Sequence, residues 1–264
     1  GEAFTFTATQ LADFSGKKLK GFKLYVDCGG DGGACPANKF ADFEFRGFTI
    51  AGAQNSPRIS IDHISLTGAT GTGGAFKIGD TVTARWNNTA SGDYNATPIT
   101  GVNFDLSQFG GGASVAALNS AGIWTATHLL SAGAIDATNR NVSVTASNSN
   151  GPATTAGTNN ATVDTIAPVV TPGNIALSGA SGVGGAFKAG DTVTAQWNNT
   201  AAGDNNTDTI SAVSINLSAF NGPVAIPATN AAGIWTATHP LQAGVAGNNL
   251  NASISAADNA GNIT

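Results

Sequence analysis

Charge is what this chain has least of: Asp, Glu, Lys and Arg make up 10% of its 264 residues, against roughly a quarter in ordinary globular proteins. The 11 basic residues are scattered and the net charge is −5, so no positive stripe exists for a nucleic acid backbone. No apolar run approaches the ~18 residues that cross a bilayer as a helix, and no transmembrane segment is expected. There is no methionine, and no charged leader with an apolar core opens the chain. Both agree with a signal peptide already removed at Gly1 and with an extracellular or cell-surface location. Sustained helical periodicity is also missing.

What fills the chain is Gly, Asn, Thr and Ser, residues of strands and turns that disfavour helix interiors. Apolar residues still make up 41% and recur regularly, which excludes a disordered tract. The regularity is a repeat. Ile64 to Gly133 aligns without a gap on Ile175 to Gly244. Gly-Gly-Ala-Phe-Lys at 73–77 returns at 184–188, Gly-Asp-Thr-Val-Thr-Ala at 79–84 returns at 190–195, Trp-Asn-Asn-Thr-Ala at 86–90 returns at 197–201, and Ala-Gly-Ile-Trp-Thr-Ala-Thr-His at 121–128 returns at 232–239. Such length and identity mark a duplicated domain.

Within each copy the apolar period is two. Val82, Ala84 and Trp86 alternate with Thr81, Thr83 and Arg85, as in a half-buried strand. Val102, Phe104 and Leu106 form a second such face, and Val142, Val144 and Ala146 a third. Turn residues separate these runs at intervals of roughly ten, the signal of a β-sandwich. Seven strands are expected in the first copy, near 64–68, 80–87, 99–106, 113–118, 122–128, 140–147 and 158–165.

The expected fold class is all-β: two tandem immunoglobulin-like sandwiches, residues 63–168 and 169–264, preceded by a small β-domain or extension over residues 1–62. Candidate strands in that N-terminal region are Phe4–Thr9, Leu19–Val26, Phe43–Ile50 and Ile59–Ile61. Cys28 and Cys35 flank Gly-Gly-Asp-Gly-Gly-Ala; in an oxidising compartment they read as a local disulfide closing a glycine loop, the alternatives being a half metal site or two free thiols. The second copy reaches Ala260-Gly261 and stops before a counterpart of the strand at 158–165, so it is expected to lack its last strand. The run Glu2 to Thr9 alternates correctly for a donated strand, with Phe4, Phe6 and Ala8 on one face.

Gly-Gly-Ala-Phe-Lys, Gly-Asp-Thr-Val-Thr-Ala-x-Trp and the joint Val163-Asp164-Thr165-Ile166-Ala167-Pro168 resemble the bacterial immunoglobulin-like tandem repeats of giant extracellular surface adhesins. The resemblance covers residues 64 to 264 and leaves residues 1–62 unassigned. It implies a stalk or fibre segment with copies of the same chain as partners in a fibre or array. It also implies calcium at the joints between domains, and through it Asp164 as a metal ligand.

The residues themselves offer little to catalysis. His128 and His239 occupy one position in both copies with no Ser or Asp at triad spacing. Ser181 lacks the glycine and helix of a nucleophile elbow. No carboxylate pair declares itself for glycoside hydrolysis, so no catalytic residue is assigned and the chain is read as non-enzymatic. The loop 87–93, repeated at 198–204, offers Asn and Asp oxygens to a hard cation through Asp93 and Asp204; the same residues are ordinary turn formers, the favoured reading. Asn-x-Ser/Thr at Asn87, Asn95, Asn141, Asn160, Asn198, Asn205, Asn216 and Asn251 provides glycan acceptors where the host has the machinery. A rival reading makes residues 1–62 a polysaccharide- or ligand-binding module, with Phe40, Phe43 and Phe48 as its exposed aromatics and the repeats as its spacer.

Overall fold

The computed structural model describes residues 55–264, which belong to one compact unit. Cys28, Cys35, Phe4, Phe6 and Ala8 lie outside the described residues, as do the aromatics Phe40, Phe43 and Phe48.

Among the described residues the chain is all-β, with seventeen strands, short 3-10 turns and no α-helix. In the first repeat β1 (Ile64–Thr67), β2 (Thr81–Asn87), β6 (Ile123–Leu129) and β5 (Leu118–Ser120) form one antiparallel sheet, in that order. The second sheet runs β4 (Val115–Ala116), β3 (Gly101–Asp105), β8 (Ser143–Asn148) and β9 (Gly151–Ala156). A two-stranded ribbon pairs β7 (Asp136–Arg140) with β10 (Ala161–Asp164). The second repeat builds β11 (Ile175–Ser178), β12 (Thr192–Asn198), β16 (Ile234–Pro240) and β15 (Thr229–Ala231) into the equivalent first sheet. Its other sheet holds three strands, β14 (Ile226–Pro227), β13 (Ile210–Asn216) and β17 (Ser253–Asp258).

The period of two does what it promised. Val82, Ala84 and Trp86 of β2 meet Val102 and Phe104 of β3 and Val144 and Ala146 of β8 in a single core, so the inward faces of the two sheets bury one another as in a sandwich. Trp86 lies directly across the ladder from Trp124, and Trp197 from Trp235. Trp86 and Trp197 are fully buried, each removing on the order of 200 Å² from water.

Three features differ from the sequence expectation. The strand near 113–118 is two short strands in different sheets, because the chain crosses over at Ala117, whose N–H donates to Val102. The sequence pattern does not predict β7 or β9: their small and polar residues carry no strong alternation, and β9 is an edge strand that accommodates Pro152. Residues 59–61 are not a strand but lead into the 3-10 turn Ile61–His63, and Ile59 enters the core of the first repeat. The packing of that repeat therefore begins upstream of residue 63.

Candidate functional site

Asp93 and Asp204, the candidate cation ligands of the repeated loop, have other work. Asp93 Oδ2 accepts from the buried indole Nε1 of Trp86 at 2.6 Å and from the Ser60 backbone N–H at 2.9 Å, while Oδ1 lies 3.0 Å from His63 Nδ1. Asp204 repeats this with Trp197 Nε1 at 2.5 Å, the Thr171 N–H at 2.9 Å and Asn174 Nδ2 at 2.7 Å. Two residues on, Asn95 and Asn206 finish the job. The Asn206 side chain accepts from the Val169 N–H and donates to the Val169 carbonyl, and Asn95 does the same to Arg58. An Asp and an Asn thus clamp the segment entering each repeat, as a neighbouring strand would. The loop is a turn with a defined task.

Burial alone would raise the pKa of Asp93, but hydrogen bonds from Ser60 and Trp86, with His63, outweigh it and hold the carboxyl below its usual value. Asp204 is lowered for the same reasons through Thr171, Trp197 and Asn174. A depressed folded-state pKa contributes stability that is complete above the unfolded value and lost as pH falls through the folded one. Trp fluorescence is therefore expected to stay constant from pH 7 down to about 4 and to change only below that. A Trp transition centred above pH 5 would contradict the clamp.

His128 and His239 pack on a glycine corner in each copy. A Cβ on Gly111 would stand 3.1 Å from His128 Cγ, and one on Gly222 would stand 2.9 Å from His239 Cγ. No carboxylate or hydroxyl partners either ring among the described residues. Ser181 donates to Asp191 at 2.5 Å, as a turn residue does.

Asp164 has the different surroundings. It ends β10, is 3% exposed, and accepts at Oδ1 from the Ile166 N–H at 2.9 Å. Asp136, at the start of β7, and Asp208, in the loop leading into β13, bring carboxylate oxygens to it, all within 4.8 Å of one another. Asp258 ends β17 nearby and is 1% exposed; it accepts from the N–H groups of Gly261 and Asn262 at 2.7 and 2.9 Å. Burial pushes the Asp164 carboxyl up to about 6, and the charges of Asp258, Asp208 and Asp136 push the same way against the Ile166 hydrogen bond. Asp208 is raised by burial and then by Asp136 and Asp258. Among the described residues no Lys or Arg lies within ion-pair distance of any of them.

A cavity of about 140 Å³ opens beside the cluster, lined by Asp136 and Asp164 from one repeat and by Asn259 and Ala260 from the other. The site is therefore built at the joint. The two copies differ there in a telling way. At the entrance of the first repeat Thr97 stands where the second has Asp208, and Asn148 where it has Asp258; at the exit of the second, the stretch 245–250 that answers Asp136 holds no acid. Asp136, Asp208 and Asp258 thus face the joint and have no acidic counterpart at the equivalent positions of the other repeat. Sequence reasoning named Asp164 and missed Asp136 and Asp208; the signal was this difference between otherwise matching copies.

Comparison with protein-family models, with curated proteins and with solved structures finds no match. Carboxylates at this spacing, with no Lys or Arg paired to them among the described residues, suit a hard divalent cation. Calcium takes 6–8 oxygens in flexible geometry, whereas magnesium demands a near-ideal octahedron. Three carboxylates on three separate segments, with further positions left to other oxygens, suit the flexible geometry of calcium better.

Proposed function

We propose that this chain is a non-enzymatic structural segment of an extracellular surface fibre, filament or adhesin stalk, in which tandem immunoglobulin-like sandwiches are held end to end and calcium fixes the joint between them. The observation that carries this reading is the gathering of Asp136, Asp164 and Asp208 from both repeats at their junction, with no Lys or Arg among the described residues to balance them. A structural protein needs its length and stiffness transmitted from unit to unit through neighbour contacts. A cation shared by two units does that.

Solution scattering with calcium and with chelator tests it. Chelation is expected to widen the distribution of angles between the repeats while each sandwich stays folded. Identical profiles under both conditions would reject a calcium-bound joint.

The partners in this reading are copies of the same chain or an array of such repeats, with glycans as surface additions and nucleic acid excluded by charge. One assembly route is strand donation. Among the described residues the outer edge of β17 carries one bridge, Ala257 with Ile263, closed by the Asp258 N–H to the Asn262 carbonyl and the Thr264 N–H to the Ala256 carbonyl, whereas the corresponding edge of β8 carries the whole of β9. Residues 2–9, with Phe4, Phe6 and Ala8, have the alternation to pair there; the chain's own continuation would close the same edge. Deleting residues 1–9 separates the two: fibres that persist after the deletion eliminate donation.

A further inference from the structure

The loop Gly71–Ile78 of the first repeat is where the second repeat docks. The Thr72 N–H donates to the Ala260 carbonyl at 3.1 Å, and the Ile78 N–H donates to Asn262 Oδ1 at 2.8 Å. Asn262 is buried, and its Nδ2 donates to the Asp164 carbonyl and to Asp258. Gly261 sits over the loop: a Cβ there would lie 3.6 Å from Lys77 Cδ. The turn Asp258-Asn259-Ala260-Gly261-Asn262 is thus a plug. The loop is its socket.

The second repeat carries the same socket, Gly182–Ala189, and no described residue is seated in it. Its backbone is already in the docked shape. Gly184 and Gly185 have φ of 67° and 78°, against 65° and 80° at Gly73 and Gly74. The Gly182 N–H donates to the Ala186 carbonyl at 2.8 Å, as Gly71 does to Ala75 at 2.9 Å. The same carboxylate braces it from below, since Asp191 accepts from the Ser181 and Lys188 N–H groups as Asp80 does from Thr70 and Lys77. Phe187 packs edge-on against Phe220, as Phe76 does against Phe109. Yet the Val183 and Ala189 N–H groups, the counterparts of Thr72 and Ile78, have no acceptor among the described residues. Val183 is 99% exposed, and Ala186 is exposed where Ala75 is buried.

We infer that the loop Gly182–Ala189 is a preformed docking surface for the Asp-Asn-Ala-Gly-Asn turn of a further repeat of the second kind, following in tandem. The first repeat of another copy does not fit. Its corresponding turn has Pro152 in place of Asn262, and its Asn148 and Asn150 side chains are engaged with the Asn55 carbonyl. The two docking hydrogen bonds use no cation, so the inference stands apart from the calcium reading.

Amide hydrogen exchange in chelator tests it. In the chain as it stands, the Thr72 and Ile78 amides should exchange slowly and those of Val183 and Ala189 fast. Repeating residues 155–264 after Thr264 supplies counterparts of the end of β9 and of β10, and a third repeat in register. Val183 and Ala189 are then expected to slow by about tenfold or more. Asn262→Ala in the appended copy alone should restore fast exchange at Ala189 and spare Val183. Fast exchange at both amides in the extended chain overturns the inference. So does protection that grows with concentration in the unextended chain, which would make a second copy the occupant.

Discussion

Asp93→Ala is expected to destabilise the first repeat by about 2–4 kcal/mol, because it strands a fully buried donor. Trp86 is 0% exposed and its indole N–H has Asp93 as its acceptor. The same substitution frees the Ser60 N–H and the His63 ring, loosening the entering segment that Ile59 anchors in the core. For a unit of this size, a loss of that order lowers the melting temperature by roughly 10–20 °C. Asp93→Asn keeps one acceptor oxygen and should cost about half as much. The diagnostic variant is the double change Asp93→Ala with Trp86→Phe. Removing both partners of a buried hydrogen bond leaves no orphan, so the double variant should be more stable than the sum of the two single changes by about 1–2 kcal/mol. Additive losses would mean that Asp93 acts only through the turn backbone and not through the indole.

That clamp also shows how far the sequence could be read. The strands were legible wherever a face is buried, since Val82, Ala84 and Trp86 or Val213, Ile215 and Leu217 can only alternate against a core. They were illegible where burial is slight, as in β7 and β9, whose Thr, Ala and Asn residues satisfy edge pairing without an apolar signature. The loop 87–93 was legible as a polar turn. Its pairing with Ser60 and Arg58 was not, because those contacts span more than thirty residues and leave no local pattern. The joint site was half legible. Asp164 belongs to a recognisable junction, but Asp136 and Asp208 reach it from a ribbon strand and from a loop of the other repeat. Only the fold says that these meet.

Asp164→Asn is expected to reverse sign with the conditions. Asparagine keeps the oxygen that accepts from the Ile166 N–H and removes the charge. In chelator at pH 7 the wild-type joint holds an ionised Asp164 against Asp136, Asp208 and Asp258, and the variant relieves that repulsion. Its unfolding temperature should rise by a few degrees, an effect of about 1 kcal/mol. In saturating calcium the order should invert, since the variant has lost a ligand and gains nothing from the ion.

The pH dependence follows from the same charge. The Asp164 pKa is raised from 3.8 to about 6 in the folded chain. The folded state therefore binds the proton more readily than the unfolded one, and stability falls as pH rises from about 4 through 6. Acidifying from pH 7 to 5 in chelator should stabilise the wild type relative to Asp164→Asn; in calcium the same acidification should weaken binding, because protons compete for the ligand. Asp93 and Asp204, with lowered values, stay ionised across that window and do not contribute. Calorimetry of the two proteins at pH 5 and 7, with calcium and with chelator, reads all of this. A wild type and variant that shift in parallel in all four conditions would remove Asp164 from the joint's electrostatics and take the calcium site with it.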